Sequence, residues 1–182
     1  MKKLLVINGS ASTGSSNQRL IDRIADELKG DFDIHVYNEL KTLPHFDPKL
    51  SESNPPASIK ELRTRIQESD GIIICTPEYV FSIPSGLKNA IEWCVSTIVF
   101  SDKPAGIVTA SAHGQKGHEE LQLILRTVMA NFNDDTTWLI QGIKGKINEQ
   151  GEITNLTTKQ ELTKFVGAFR SLVFSSKEQG SP

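Results

Sequence analysis

The chain has 182 residues, 37% hydrophobic and 23% charged, with twenty Lys and Arg against twenty-two Asp and Glu for a net charge of −2. That fits one domain with its own core, spanning 1–174, and gives neither the basic field that nucleic acid attracts nor the strong acidity of a carrier that docks by charge. Cys75 and Cys94 are too few for a disulfide framework or a metal-ligand set, and no apolar run approaches the roughly 18 residues of a membrane span, so the expectation is a cytoplasmic protein without a membrane or nucleic-acid partner.

Met1-Lys2-Lys3 precedes only Leu4 to Ile7, too short for a signal h-region; that apolar run predicts the first strand. Leu20, Ile21, Ile24, Ala25 and Leu28 then fall on one helical face, and Phe32 to Tyr37 alternates as a second strand. Asn38 to Pro56, with Pro44, Pro48, Pro55 and Pro56, is long for a connection and reads as a lid or a wall. Ile59, Leu62 and Ile66 mark the next helix, and Gly71 to Cys75 the most strand-like run. Leu87, Ala90, Ile91, Cys94 and Val95 predict a third helix. Gly106 to Ala110 follows as a strand, Leu121 to Met129 as a helix, and Thr136 to Ile140 as the last strand. Gln141 to Asn155, with Ile143, Ile147, Gly151 and Ile153, reads as a small hairpin. Leu162, Phe165, Val166, Phe169 and Val173 form a closing helix, and 175–182 is a polar tail expected to fray. Strands that are nearly all apolar belong in a parallel sheet covered on both faces. Strict β-α alternation makes that sheet doubly wound, and five strands fit the flavodoxin-like order 2-1-3-4-5. Ligands in such folds sit beyond the carboxyl ends of the strands.

The loop after strand one, Asn8 to Asn17, carries five hydroxyls within residues 10–16, at Ser10, Ser12, Thr13, Ser15 and Ser16. A helix start leaves N–H groups unpaired and partly positive, so a hydroxyl-lined turn there is an anion site. The loop lacks both the Gly-Lys-Ser/Thr ending of a Walker A turn and the G-x-G-x-x-G fingerprint, which argues against an ATPase and a Rossmann dinucleotide site. One of these serines, Ser15 or Ser16, would cap the helix; a single cap does not need five hydroxyls. After strand three, Thr76 to Ala90 brings Glu78 and Tyr79 to the same edge, stiffened by Pro77 and Pro84, with Ser85 placed to cap the next helix.

Together these residues resemble the NAD(P)H-dependent FMN reductase family, which includes quinone, azo-dye and chromate reductases. The family carries Gly-Ser-x-Arg-x-x-Ser-x-Asn, Pro-Glu-Tyr-Asn and Leu-Lys-Asn-Ala-x-Asp-Trp; this chain has Gly9-Ser10, Ser15 and Asn17, Pro77-Glu78-Tyr79, and Leu87 to Trp93. The resemblance covers about Leu4 to Met129. It implies FMN as cofactor, NADPH or NADH as donor, and a small-molecule acceptor: a quinone, azo compound, metal oxyanion or free flavin. It further implies that Ser10, Ser12, Ser15, Ser16 and Asn17 hold the FMN phosphate. Pro77, Glu78, Tyr79 and Val80 would line the ring, with Ser111, Ala112, His113 and Gly114 on its other side. Two positions depart from the family: Ser12 stands where it has Arg, so no guanidinium is expected at the phosphate, and Val80 stands where it has Asn.

No catalytic acid, base or nucleophile is required, because the flavin would carry the chemistry, and no metal site is expected. Glu78 is expected to hold its loop by accepting backbone N–H bonds; proton relay is the alternative. His113 would position a nicotinamide or quinone, or is an ordinary loop residue. His35, His45 and His118 have no metal-ligand spacing with either cysteine, and Cys75 and Cys94 are read as packing residues. By resemblance the chain assembles as a homodimer or homotetramer, with Phe81, Trp93 and Phe100 as interface candidates. Two rival readings keep the fold: a non-enzymatic flavodoxin-type carrier, and a protein that binds another phosphorylated ligand.

Overall fold

The computed structural model describes residues 1–12 and 14–176. The chain runs β1 (Lys2–Asn8), α1 (Ser16–Leu28), β2 (Phe32–Tyr37), α2 (Pro48–Ser53), α3 (Ala57–Glu68), β3 (Gly71–Thr76), α4 (Ser85–Glu92), β4 (Ala105–Ser111), α5 (Gln115–Thr127), β5 (Thr137–Gln141) and α6 (Leu156–Ser175), with short 3-10 turns at Leu40–Thr42, Asp134–Thr136 and Ile143–Gly145. The five strands form one parallel sheet in the order β2-β1-β3-β4-β5.

Alternation along each strand sorts the apolar residues into two layers. Leu4, Val6, Ile73, Cys75, Val108 and Ile140 face α1 and α6, meeting Leu20, Ile24, Phe165 and Phe169. Leu5, Ile7, Ile72, Ile74 and Ile107 face α3, α4 and α5, meeting Ile59, Leu62, Leu87, Leu121 and Leu125. Both faces of the central strands are therefore dry, which is why they read as unbroken apolar runs. A Cβ added at Gly106 would come within 2.9 Å of the Phe165 ring, so that glycine lets α6 settle onto β4.

Several boundaries differ from the periodicity. α4 stops at Glu92, with Trp93 as its C-cap, and Cys94 and Val95 lie beyond it. Ser85 is the first helical residue of α4 rather than its cap; Pro84 holds the cap position without a side-chain hydrogen bond. α5 ends before Met129, which takes φ 62° while Ala130 N–H reaches back to the Leu125 carbonyl, a left-handed C-terminal closure. The expected hairpin over 141–155 is a 3-10 turn followed by a single antiparallel bridge, Ile147 to Ile153. In the tail expected to fray, α6 continues through Ser175; 177–182 lie outside the described residues.

The Pro-rich connection after β2 is a wall. Asp47 caps α2, accepting from Lys49 and Leu50 N–H. Arg63 ties this segment down, donating to the Ser51 carbonyl and Ser51 Oγ and, through Nε, to the Trp93 carbonyl at 2.9 Å. Pro44 O accepts from Trp93 Nε1 at 2.8 Å and from Asn89 Nδ2 at 2.9 Å, and Phe46 meets the Trp93 ring edge-on. Trp93 and Phe100, expected at an interface, are core residues of the chain itself, 0% and 3% exposed, whereas Phe81 is 73% exposed.

Candidate functional site

The loops after β1, β3, β4 and β5 meet at the carboxyl edge of the sheet. The first starts with Gly9, whose N–H bonds to the Cys75 carbonyl at 2.8 Å and whose added Cβ would collide with Thr76 Oγ1 at 2.4 Å. Only glycine lets the loop lie this close to β3. Asn8 then anchors the turn, accepting from Ser10 N–H and donating to Gln18 and Asn38. Ser10 Oγ accepts from Ser12 N–H at 3.2 Å, and Ser15 caps α1 by accepting from Gln18 N–H at 3.2 Å. The side chain of Asn17 is turned inward, donating to the Ala110 carbonyl at 3.0 Å, and Cys75 Sγ lies 3.5 Å from its Oδ1. Asn17 is therefore a strut between α1 and β4. Thr13, the fifth hydroxyl, lies outside the described residues.

The loop after β3 is fixed to α5 by two carboxylates pointing in opposite directions. Glu78 accepts from Gly114 N–H at 3.1 Å and Gly117 N–H at 2.8 Å, capping the start of α5 where Gly114 sits at φ 86° and supplies no side chain. Glu120 reaches back from α5, accepting from Ser82 Oγ at 2.6 Å and Ile83 N–H at 2.9 Å. Partial burial pushes the Glu120 carboxyl up, but these donors and the Lys88 ammonium hold it below the usual carboxylate range. Between the two anchors, Tyr79 and Ser82 exchange N–H···O bonds around Val80 and Phe81, which lie at φ 53° and 58°. This is a two-residue reversal of the kind that normally takes Asn-Gly. A β-branched residue there is strained.

These loops enclose a cleft of about 1180 Å³. Ser10, Ser12, Ser15, Ser16, Asn17, Pro77, Glu78, Tyr79, Ser111 and Ala112 line it. Val80, His113 and Gly114 lie off its lining: Val80 and His113 are exposed, and the Gly114 N–H is taken by Glu78. The lining also includes Arg19, Lys144, Ile147, Asn148, Glu149 and Gln150, none of them expected at the site. Arg19 stands three residues after Ser16 on α1, a spacing that places both on one face. The segment after β5 lies at a carboxyl edge, where ligands gather, and its departure from tight packing was the available signal. A smaller cavity of about 280 Å³ adjoins at Ser10 and Tyr79 and is lined by Lys41, His45, Ser85 and Gly86.

The nearby thiols and the buried imidazole are not reactive groups. Burial pushes the Cys75 thiol far up and Cys94 to about 12, so neither forms a thiolate nucleophile at neutral pH. His118 is held neutral by burial, which lowers it against the opposing pull of Glu119, and its Nδ1 lies 2.9 Å from Thr109 Oγ1. The cleft is lined by hydroxyls, the start of α1 and Arg19 together with Tyr79, Ala110, Ala112 and Ile143. That pairing suits a ligand with an anionic end and a flat apolar body.

The NADPH-dependent FMN reductase family matches residues 2–143. The chain is 36% identical over 132 residues to the NADH-dependent flavin reductase subunit 2 of Lactobacillus johnsonii, covering 70% of this chain and 69% of that one. It is 29% identical to a quinone reductase of Escherichia coli, over 94% and 96% of the two chains. Among solved structures, the flavoenzyme NAD(P)H:(acceptor) oxidoreductase FerB of Paracoccus denitrificans superimposes with a TM-score of 0.81 at 26% identity, covering 97% of this chain and 99% of that one.

Proposed function

Because this chain belongs to the NADPH-dependent FMN reductase family, and so is an oxidoreductase, we propose that its cleft holds FMN and serves a nicotinamide donor and a small-molecule acceptor in turn. The observation that carries this reading is the meeting, in one cleft, of the hydroxyl-lined start of α1 with the Tyr79 and Ala112 walls at the carboxyl edge of the sheet. The fit is supported by an orphaned donor: Arg19 Nε is buried without a hydrogen-bond partner among the described residues.

Ser10, Ser12 and Ser16, with the first-turn N–H groups of α1, would hold the phosphate; Ser15 is engaged as the cap, and Asn17 contributes through its backbone. Pro77, Glu78 and Tyr79 would flank the ring on one side, and Ser111 and Ala112 on the other. Glu78 and Glu120 keep the β3–α4 loop in place, so that the loop wall is preorganised before any substrate arrives. Bound FMN would supply the redox chemistry, accepting hydride from NADPH or NADH and passing electrons to a quinone, azo compound, metal oxyanion or free flavin. The protein's own work is binding, orientation and partial exclusion of water. We place the enzyme in the cytoplasm, where its two buried thiols stay reduced and nicotinamide donors are present. Assembly as a homodimer or homotetramer is kept as an expectation, with the exposed Tyr79–Phe81 tip as its apolar surface.

Initial rates of NADPH or NADH oxidation with a quinone test this. Parallel double-reciprocal lines are expected, since both substrates would use one open site in alternation. Intersecting lines would contradict the shared site, and absence of turnover with added FMN would contradict the reductase reading.

A further inference from the structure

Arg19 lies within the second turn of α1, and helical side chains lean back toward the N-terminus. Its Nη2 donates to Ser16 Oγ at 3.3 Å, and the residue lines the cleft beside Ser10, Ser12 and Ser15. Its Nε is buried and has no partner among the described residues. The neighbouring groove is rich in carboxylates, including Asp22, Asp26 and Glu149. Yet Arg19 takes part in none of the ion pairs found among the described residues. The guanidinium thus reaches the start of α1 through Nη2, on a residue that lines the cleft, and no carboxylate neutralises it among the described residues.

We propose that Arg19 is the cation that binds the FMN phosphate and selects FMN over unphosphorylated flavin, taking over from α1 the charge that the family places at the position of Ser12. The inference rests on the FMN reading above. A helix start carries roughly half a positive charge, too little to balance a phosphate of about −1.5 to −2 by itself. A guanidinium supplies a full charge and a planar fork of donors suited to phosphate oxygens. Its different point of attachment explains how the loop can have serine at residue 12 and still form an anion site.

Fluorescence titration of the flavin-free protein with FMN and with riboflavin provides the test, using the natural chain, Arg19→Gln and Arg19→Lys. Arg19→Gln should weaken FMN binding roughly 10- to 100-fold while leaving riboflavin binding unchanged, and Arg19→Lys should recover part of the loss. If Arg19→Gln keeps the natural ratio of FMN to riboflavin affinity, whether both hold or both fall, Arg19 supports the fold and the proposal is wrong. A natural chain that binds the two flavins equally would overturn the phosphate cradle itself, and with it this inference. Flavin binding by neither would overturn the FMN reading.

Discussion

Replacing Glu78 separates a brace from a proton relay. Both carboxylate oxygens are engaged, with Gly114 N–H at 3.1 Å and Gly117 N–H at 2.8 Å, and the group sits at the start of a thirteen-residue helix. Hydrogen bonds to a charged acceptor contribute about 1.5–3 kcal/mol when buried, and a helix-terminus charge about 0.3–1 kcal/mol. Glu78 is half-buried, so the sum is discounted to about 2–3 kcal/mol for Glu78→Ala. Glu78→Gln keeps one acceptor but turns an amide toward the second N–H, for about 1 kcal/mol. At roughly 2–4 °C per kcal/mol for a domain of this size, thermal melting should fall by about 5–10 °C and 2–4 °C respectively. The pH profile of NAD(P)H turnover should keep its shape in Glu78→Gln. Unchanged melting together with a lost or displaced pH limb would refute the brace.

Other perturbations address the loops and the core. Val80 is 95% exposed at φ 53°, so Val80→Asn removes strain without removing packing and should stabilise by about 1 kcal/mol; a lower melting temperature would deny the left-handed turn. Trp93→Ala should cost about 3–5 kcal/mol in denaturant unfolding, as loss of a fully buried ring does, with sedimentation showing no specific loss of assembly; dissociation at unchanged stability would restore Trp93 to an interface. Glu120 titrates below the ordinary carboxylate value in the fold, so its stabilisation is complete above the unfolded pKa of about 4.3 and is lost as pH falls through the lower folded value. Glu120→Gln should therefore flatten the acid limb of the stability profile, and a variant with the natural limb would contradict the assignment.

The sheet was legible because its central strands are apolar on both faces, a pattern that a covered parallel sheet explains. The first and third loops were legible as a site because hydroxyls and an aromatic stand at strand ends. Trp93 misled because its place on an amphipathic helix shows that a face is apolar without showing what covers it; the cover is Phe46 and Pro44, from a Pro-rich segment with no period of its own. α2 escaped notice for the same reason, although Asp47-Pro48 was a start signal. Arg19 carried no such signal in the sequence, because it lies outside the loop pattern and comes beside Ser16 only through the helical spacing of α1.

On the proposed function, this cleft retains FMN and the protein accepts electrons from a nicotinamide donor. The most direct measurement is the absorbance spectrum of the purified protein after incubation with FMN and removal of the excess, followed by NADPH addition under nitrogen. A protein-bound flavin spectrum that bleaches on reduction is expected. A protein that keeps no flavin, and that oxidises no NADPH or NADH when FMN is supplied, would contradict it.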